Sequence, residues 1–424
     1  MAQVMKKVEL MAPAGDFTSL AAALRSGASS IYIGVGAFNM RSHASANFQQ
    51  SDLKKVVEMC HRCGKKLYLT LNTIAFDDEI EAIHSLCDEA KAVGVDAVIA
   101  ADLAVITYAN SIGLPIHMSV QTNVSNIEAV KFFAQFAEVV VLARECSLAQ
   151  IKEICRKIKE ENILGSTGKL MEVEVFVHGA LCVATSGRCF MSQISCNTSA
   201  NRGRCFQPCR RKYSIKDVES GMEFMLEGQY VMSPKDLCMI KFLEELLASG
   251  VSILKIEGRG RSADYVAKVV SVYREALDKI ENGEKLSDED KIRYEEELAK
   301  VFNRKFWHGG YYLGENLDEW CNIGGSNAKY HKTCVGKVSK YFNKIQVAEI
   351  TLDAGSFAEG DKLLIIGPTT GAMEFTAENI VVHGEKSEVA AQKSLVTLQV
   401  PQKVRVNDLV YRMDKRVFGD GLAE

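Results

Sequence analysis

The sequence predicts an α/β fold: a (β/α)8 barrel with a cysteine-rich insertion after strand seven, plus a small C-terminal antiparallel β-barrel. Three observations predict it. Short β-rich runs alternate with helix-periodic stretches as far as residue 281, the pattern of parallel strands covered by crossover helices. These runs number eight, the count that closes a barrel, whereas alternation alone would also suit an open doubly wound sheet. From Val335 onward the pattern turns to strand, turn, strand, which suits a small all-β unit.

In chain order the barrel strands are expected at residues 8–12, 30–35, 66–72, 97–101, 116–120, 139–143, 173–177 and 253–257. Several are continuous apolar runs, as strands buried on both faces require. Helices are expected at residues 17–26, 53–63, 78–93, 127–136, 148–161 and 262–280, the last with Tyr265, Val269, Val272, Tyr273 and Leu277 at helical spacing. Residues 1–281 therefore make the barrel, with the insertion at 180–250. Residues 282–332 form a linker: a polar start, a short helix ending near Phe302, and an aromatic and glycine-rich stretch at 306–314. Residues 333–424 make the C-terminal unit, with strands at 335–338, 345–350, 362–366, 374–382, 395–400 and 409–413.

Composition narrows the function classes. The chain has 51 Lys+Arg against 54 Asp+Glu, a net charge of −3, with 47% hydrophobic and 25% charged residues. That balance excludes a disordered or collagen-like chain. Nucleic-acid binding would need a local basic patch. No apolar run reaches the length of about 18 residues needed for a membrane span. The start of the chain lacks the features of a signal peptide. The expected location is the cytoplasm, with no membrane partner.

Thirteen cysteines are an odd number and the expected compartment is reducing, so a disulfide framework is not expected. Most scattered cysteines suit small buried hydrophobes, including Cys60-x2-Cys63. The segment Cys182-x6-Cys189-x6-Cys196-x8-Cys205-x3-Cys209, followed by Cys238, is different in kind. A soft-metal site needs about four converging thiolates, and a [4Fe–4S] cluster needs one per iron. Wide spacings suit a cluster at least as well as zinc, which usually shows paired knuckles.

Polar residues gather where barrel strands end, the face on which barrels carry function. Asn39 and Arg41 follow strand two, and Asn72 ends strand three. Gln121 follows strand five, Arg144 and Glu145 end strand six, and His178 ends strand seven. Lys255, Glu257 and Arg259 close strand eight. Glu257, Arg259 and His178 are candidates for acid–base or substrate-binding work. A barrel-top ion pair and a structural histidine are the plain alternatives. Arg202, Arg204, Arg210, Arg211 and Lys212, with Phe206 and Tyr213 interleaved, form the densest basic patch. Such a patch suits single-stranded RNA, or else a solvated loop.

Several motifs carry a family resemblance. Met11-Ala-Pro-Ala-Gly15, Tyr32-Ile-Gly34 with Phe38-Asn39-Met-Arg41, and Val177-His-Gly-Ala-Leu-Cys182-x4-Gly187-x-Cys189-x-Met-Ser192 resemble the peptidase U32 (collagenase-like) family. Lys235-Asp236-Leu237, Lys255-Ile-Glu257-Gly-Arg259 and Phe302-Asn-Arg304 fit the same pattern over roughly residues 8–320. The family name implies proteolysis, yet neither His-Glu-x-x-His nor Gly-x-Ser-x-Gly occurs. The resemblance is nearest to the tRNA hydroxylation branch. It implies an iron–sulfur cluster on Cys182, Cys189, Cys205 and Cys238, with Cys209 the rival ligand. It also implies prephenate-dependent conversion of tRNA wobble uridine to 5-hydroxyuridine, with room for a second family member as partner. Arg41, Lys255 and Arg259 would then hold prephenate carboxylates, while Asn39, Gln121, Arg202, Arg210 and Arg211 would contact substrate. A zinc-dependent peptidase and a non-catalytic RNA-binding or assembly subunit are the other readings.

Overall fold

The structure is a computed structural model that describes residues 7–43, 47–224, 230–307, 321 and 323–416. Eight parallel strands close into a barrel: β1 (Glu9–Pro13), β2 (Ser30–Ile33), β3 (Lys66–Leu71), β4 (Ala97–Ala100), β5 (Ile116–Met118), β6 (Val139–Val141), β7 (Glu172–Gly179) and β8 (Ile253–Ile256). Each pairs with the next, and β8 bonds both β7 and β1, with Ile253 opposite Glu174 on one side and Glu9 on the other.

Helices α1 (Phe17–Arg25), α2 (Leu53–Arg62), α3 (Ile80–Val93), α4 (Leu103–Ser111), α5 (Ile127–Ala134) and α6 (Leu148–Glu160) cross between successive strands. Their starts are fixed by side chains that satisfy free backbone N–H groups. Asp16 accepts from the Ser19 N–H at 2.7 Å, while Ser19 Oγ accepts from the Asp16 N–H. α4 is an addition to the expected helices. Its segment, Leu-Ala-Val-Ile-Thr-Tyr-Ala-Asn-Ser, has too little polar contrast to show a helical stripe. The Asp102 side chain caps it by accepting from the Ala104 N–H at 3.0 Å.

Between β7 and β8 the insertion contains α7 (Met191–Cys196), the short strand Asp236–Cys238 lying antiparallel to the end of β7, and α8 (Leu243–Ala248). Beyond β8 come α9 (Ala263–Glu281) and α10 (Asp288–Leu298). Of the aromatic stretch expected at 306–314, Phe306–Trp307 pairs beside Asp236 and Leu237, and the rest lies outside the described residues. Among the described residues no helix is long and apolar enough to cross a membrane.

The C-terminal residues form antiparallel β structure. Strands β9 (Tyr330–Phe342), β10 (Val347–Thr351), β11 (Lys362–Gly367), β12 (Gly371–Thr376), β13 (Leu395–Gln399) and β14 (Leu409–Lys415) belong to one eight-stranded sheet. They share a core that includes Val335, Ile350, Leu363, Ile365, Val396 and Leu398. The single strand expected at 374–382 is two, β12 and Val381–Val382. Asn379 interrupts them with a φ of 54°, and its N–H donates to Glu359 at 2.7 Å.

Candidate functional site at the barrel mouth

The insertion roofs the end of the barrel at which β1–β8 finish. Between roof and barrel lies a cavity of about 180 Å³. Tyr32, Ile99 and Phe176 contribute apolar wall; Arg41, Arg144, Arg210, Lys255, Arg259 and Arg304 contribute positive charge; Glu145 and Glu257 are the carboxylates. Net positive charge in a partly enclosed space favours an anion.

Four thiols line this cavity: Cys182, Cys189, Cys205 and Cys209. Burial pushes the Cys209 thiol up, Arg210 pulls against it, and Cys182, Cys205 and Cys189 each add to the rise. Cys182, Cys189 and Cys205 are thus each within electrostatic reach of Cys209. Cys189 Sγ also accepts from the Met191 N–H at 3.3 Å. Among the described residues, no three or more His, Cys, Asp or Glu side chains are gathered as a single metal ion would need. The donor set nonetheless fits a thiolate-ligated group: four thiols facing one basic cavity.

Cys238, expected as a ligand, is not in this set. It is fully buried on the strand beside β7, and burial pushes its thiol up to about 12. Its neighbours are Ile240, Tyr273, Lys241 and Glu295, none of them a cavity thiol. Strand pairing takes its side chain into the core, and Cys209 supplies the fourth thiol instead. Cys196 is half-buried at the end of α7 and does not line the cavity.

His178, expected at the mouth as an acid or base, lies instead against the outer helices. Strand alternation would place it on the same inner face as Glu174 and Phe176. A bulge intervenes: Lys255 pairs with Phe176, but Ile256 pairs with His178, so Val177 is skipped. The extra residue reverses the facing of the strand beyond it. The imidazole packs against Tyr265, Tyr273 and Phe306 at centroid distances of 5.6–6.0 Å. Burial pushes its pKa down to about 3, so it is neutral.

The remaining polar residues form a connected floor. Arg259 donates to Asn39 Oδ1 at 3.0 Å and to Thr70 Oγ1 at 2.7 Å. Gly34 permits this approach, because a Cβ there would lie 2.3 Å from the Arg259 guanidinium. Asn39 also accepts from the Arg41 N–H and donates to the Val35 and Gly36 carbonyls. It is completely buried and does not line the cavity, so it positions the two arginines rather than touching substrate. Arg41 pairs with Glu257 at 3.3 Å, and the Tyr32 hydroxyl donates to the same carboxylate at 3.3 Å. Burial alone would raise the Glu257 carboxyl, but Arg41, Arg144 and Arg259 hold it below the usual range.

Deeper in the barrel, Lys255 Nζ donates to Glu174 at 2.7 Å, and Glu174 meets His117 Nδ1 at 3.3 Å. Burial works against the Glu174 charge, yet Lys255 and His117 keep its carboxyl low. A buried carboxylate needs such partners. Glu174 has no role in the reading from sequence, although it is the one charged residue in the run 173–177. That charge in a doubly buried run was the available signal. That reading also gives no role to the Glu145–Ser186 contact. Glu145 accepts from both the N–H and the hydroxyl of Ser186 at 2.7 Å each.

The basic patch divides. Arg202 makes two 2.6 Å bonds to Glu79, donates to the Ile74 carbonyl and covers the Phe76 ring. Arg210 donates to Ser233 Oγ and to the carbonyls of Pro234 and Leu181. Both are expected from sequence to meet substrate: Arg202 instead fastens the insertion to the barrel, while Arg210 lines the cavity and is held there by bonds within the insertion. Arg211 is exposed, and Gln121 lines the cavity.

Fold and site together define a (β/α)8-barrel protein with a thiol-lined, arginine-rich mouth. The chain belongs to peptidase family U32, whose profile matches residues 15–322. It is 45% identical to a collagenase of Porphyromonas gingivalis over 96% of this chain and 98% of that protein. It is 33% identical to tRNA hydroxylation protein P1 of Bacillus subtilis, over 89% of this chain and 87% of that one. It is 36% identical to the 23S rRNA 5-hydroxycytidine C2501 synthase of Escherichia coli, over 65% of this chain and 40% of that enzyme.

Proposed function

We propose that this protein is an iron–sulfur-dependent RNA-modifying enzyme. Its substrate is tRNA, with the wobble uridine converted to 5-hydroxyuridine and prephenate supplying the hydroxyl group. The observation that carries the reading is the facing of Cys182, Cys189, Cys205 and Cys209 onto one basic cavity at the barrel mouth. Relatives named for tRNA and ribosomal RNA hydroxylation support the substrate class. The four thiols would hold a [4Fe–4S] cluster, one thiolate per iron. When bound, that group supplies redox or Lewis-acid chemistry.

The chain's own residues supply the rest. Arg41, Arg144 and Lys255 offer positive charge to a dicarboxylate, and a guanidinium can take a carboxylate through two hydrogen bonds. Ile99 and Phe176 give an apolar wall for its ring. Glu257 is held ionised and aims Arg41. Gln121 offers an amide to a base edge.

The collagenase relative favours a second reading, a peptidase, with zinc as the alternative metal. A cysteine peptidase needs a thiol activated by a histidine. His178, the histidine nearest Cys182 in sequence, is buried, neutral and turned away from the cavity. Iron and sulfide analysis of anaerobically purified protein separates the readings. About four of each per chain, with 5-hydroxyuridine lost from the tRNA of a deletion strain, is the expected result. Stoichiometric zinc with gelatin cleavage would overturn it.

A further inference from the structure

The insertion presents a surface that the cavity does not use. Phe190, Ile194 and Phe206 are 69%, 85% and 57% exposed. Phe190 directly follows Cys189 and Phe206 directly follows Cys205, both cavity-lining thiols, so the two rings stand at the rim. The Ile194 N–H donates to the Phe190 carbonyl at 3.0 Å, which sets these side chains one turn apart on one helix face. The Phe206 N–H donates to Ser192 Oγ at 3.1 Å, tying the third to the same helix. Exposed apolar groups gathered on one short segment mark an interaction site.

Charge identifies the partner. Residues 182–214 hold six Lys or Arg and no Asp or Glu, in a chain whose net charge is −3. Arg202 and Arg210 are engaged internally. Arg188, Arg204 and Arg211 are exposed on the same segment as the apolar trio; Arg188 donates to the Gln121 carbonyl at 3.2 Å and Arg204 to His43 Nε2 at 2.8 Å, which leaves the rest of each guanidinium at the surface. Rings interleaved with guanidiniums, on a segment that itself carries no acid, suit unpaired bases strung on phosphates better than an apolar protein face.

We infer that Phe190, Ile194 and Phe206 form a stacking platform for unpaired nucleotides of an RNA loop, with Arg188, Arg204 and Arg211 on its phosphates. The inference takes its partner class from the RNA reading above, but it concerns binding and not turnover.

The test uses the full chain, purified anaerobically, with an RNA hairpin carrying an unpaired loop and a fully paired duplex of the same stem. Phe190→Ala/Phe206→Ala is expected to weaken hairpin binding about 10- to 100-fold, leaving its salt dependence unchanged. Arg204→Ala/Arg211→Ala is expected to weaken hairpin and duplex alike and to lower the salt slope by about 2. All four positions are exposed, and an unchanged Tm confirms that each variant folds. Hairpin binding that survives the loss of both rings overturns the platform, even if the wild type hydroxylates tRNA. Ring-dependent binding by a protein that hydroxylates nothing upholds the platform and overturns the catalytic reading. No hairpin binding by the wild type overturns both.

Discussion

Cys209 and Cys238 differ by what surrounds them. Cys209 faces three other thiols and a guanidinium in the cavity, whereas Cys238 is enclosed by core side chains. Cys209→Ala should therefore abolish iron retention. Cys238→Ala should keep the iron and lose about 1–2 kcal/mol of stability through the small void it leaves, measured by denaturant unfolding. Spacing could not decide between them, because both follow Cys205 closely enough to reach a shared site and only strand pairing removes Cys238. Glu145 offers a second test. Ser186, between Cys182 and Cys189, has a φ of 31°, a strained value for a residue with a side chain. Two 2.7 Å bonds to Glu145 hold it there. Glu145→Ala should free that loop and weaken metal retention about 10-fold or more, read as iron lost to a chelator, with Glu145→Gln intermediate.

The bulge in β7 decides what its last residues do. Without the skipped Val177, His178 would face inward with Phe176; with it, the imidazole joins Tyr265, Tyr273 and Phe306. This placement makes stability depend on pH. His178 has a folded pKa of about 3, well below its ordinary 6.5, so as the pH falls the unfolded chain binds its proton first. Stability from this residue is present above pH 6.5 and is lost as the pH falls toward 3. The loss between pH 6.5 and pH 5 is about 2 kcal/mol. His178→Leu should flatten the stability–pH curve by that amount, as denaturant midpoints would show; an unchanged curve would mean the ring is not buried neutral. Period and composition were enough for all eight barrel strands and their order, because doubly buried strands are apolar and crossover helices are amphipathic. They were not enough for His178, because a one-residue bulge leaves no mark in hydrophobic periodicity. The same limit hides why Arg202 leaves the site and what holds Arg210 at the cavity wall. Sequence shows a basic cluster, but not that Glu79 and the carbonyls of Ile74, Leu181 and Pro234 lie within reach.

The C-terminal β unit has its own core, but it is not independent of the barrel. β12 lies against α1 and α9, and Ile366 and Ala372 pack into the barrel's core. Lys268 on α9 bridges Glu297 and Glu374 at 3.0 and 3.3 Å, and Lys332 on β9 pairs with Asp264. Half-buried surface ion pairs of this kind contribute little alone, so the fit at Gly371 matters more. Its φ is +74°, and a Cβ there would lie 2.8 Å from the Ala22 nitrogen and 2.9 Å from its Cα. Those are backbone atoms of α1 and cannot turn aside. Gly371→Ala therefore meets both a left-handed backbone and a clash, together about 2–4 kcal/mol. The penalty falls on the contact between the two units, since the cores on either side are untouched. Protease cleavage between α10 and β9 should speed up in this variant, while the iron of the proposed cluster, whose thiols line the barrel mouth, should stay at the wild-type level. Slow cleavage with lost iron would mean instead that β12 holds the barrel mouth in shape, and that the two units fold as one.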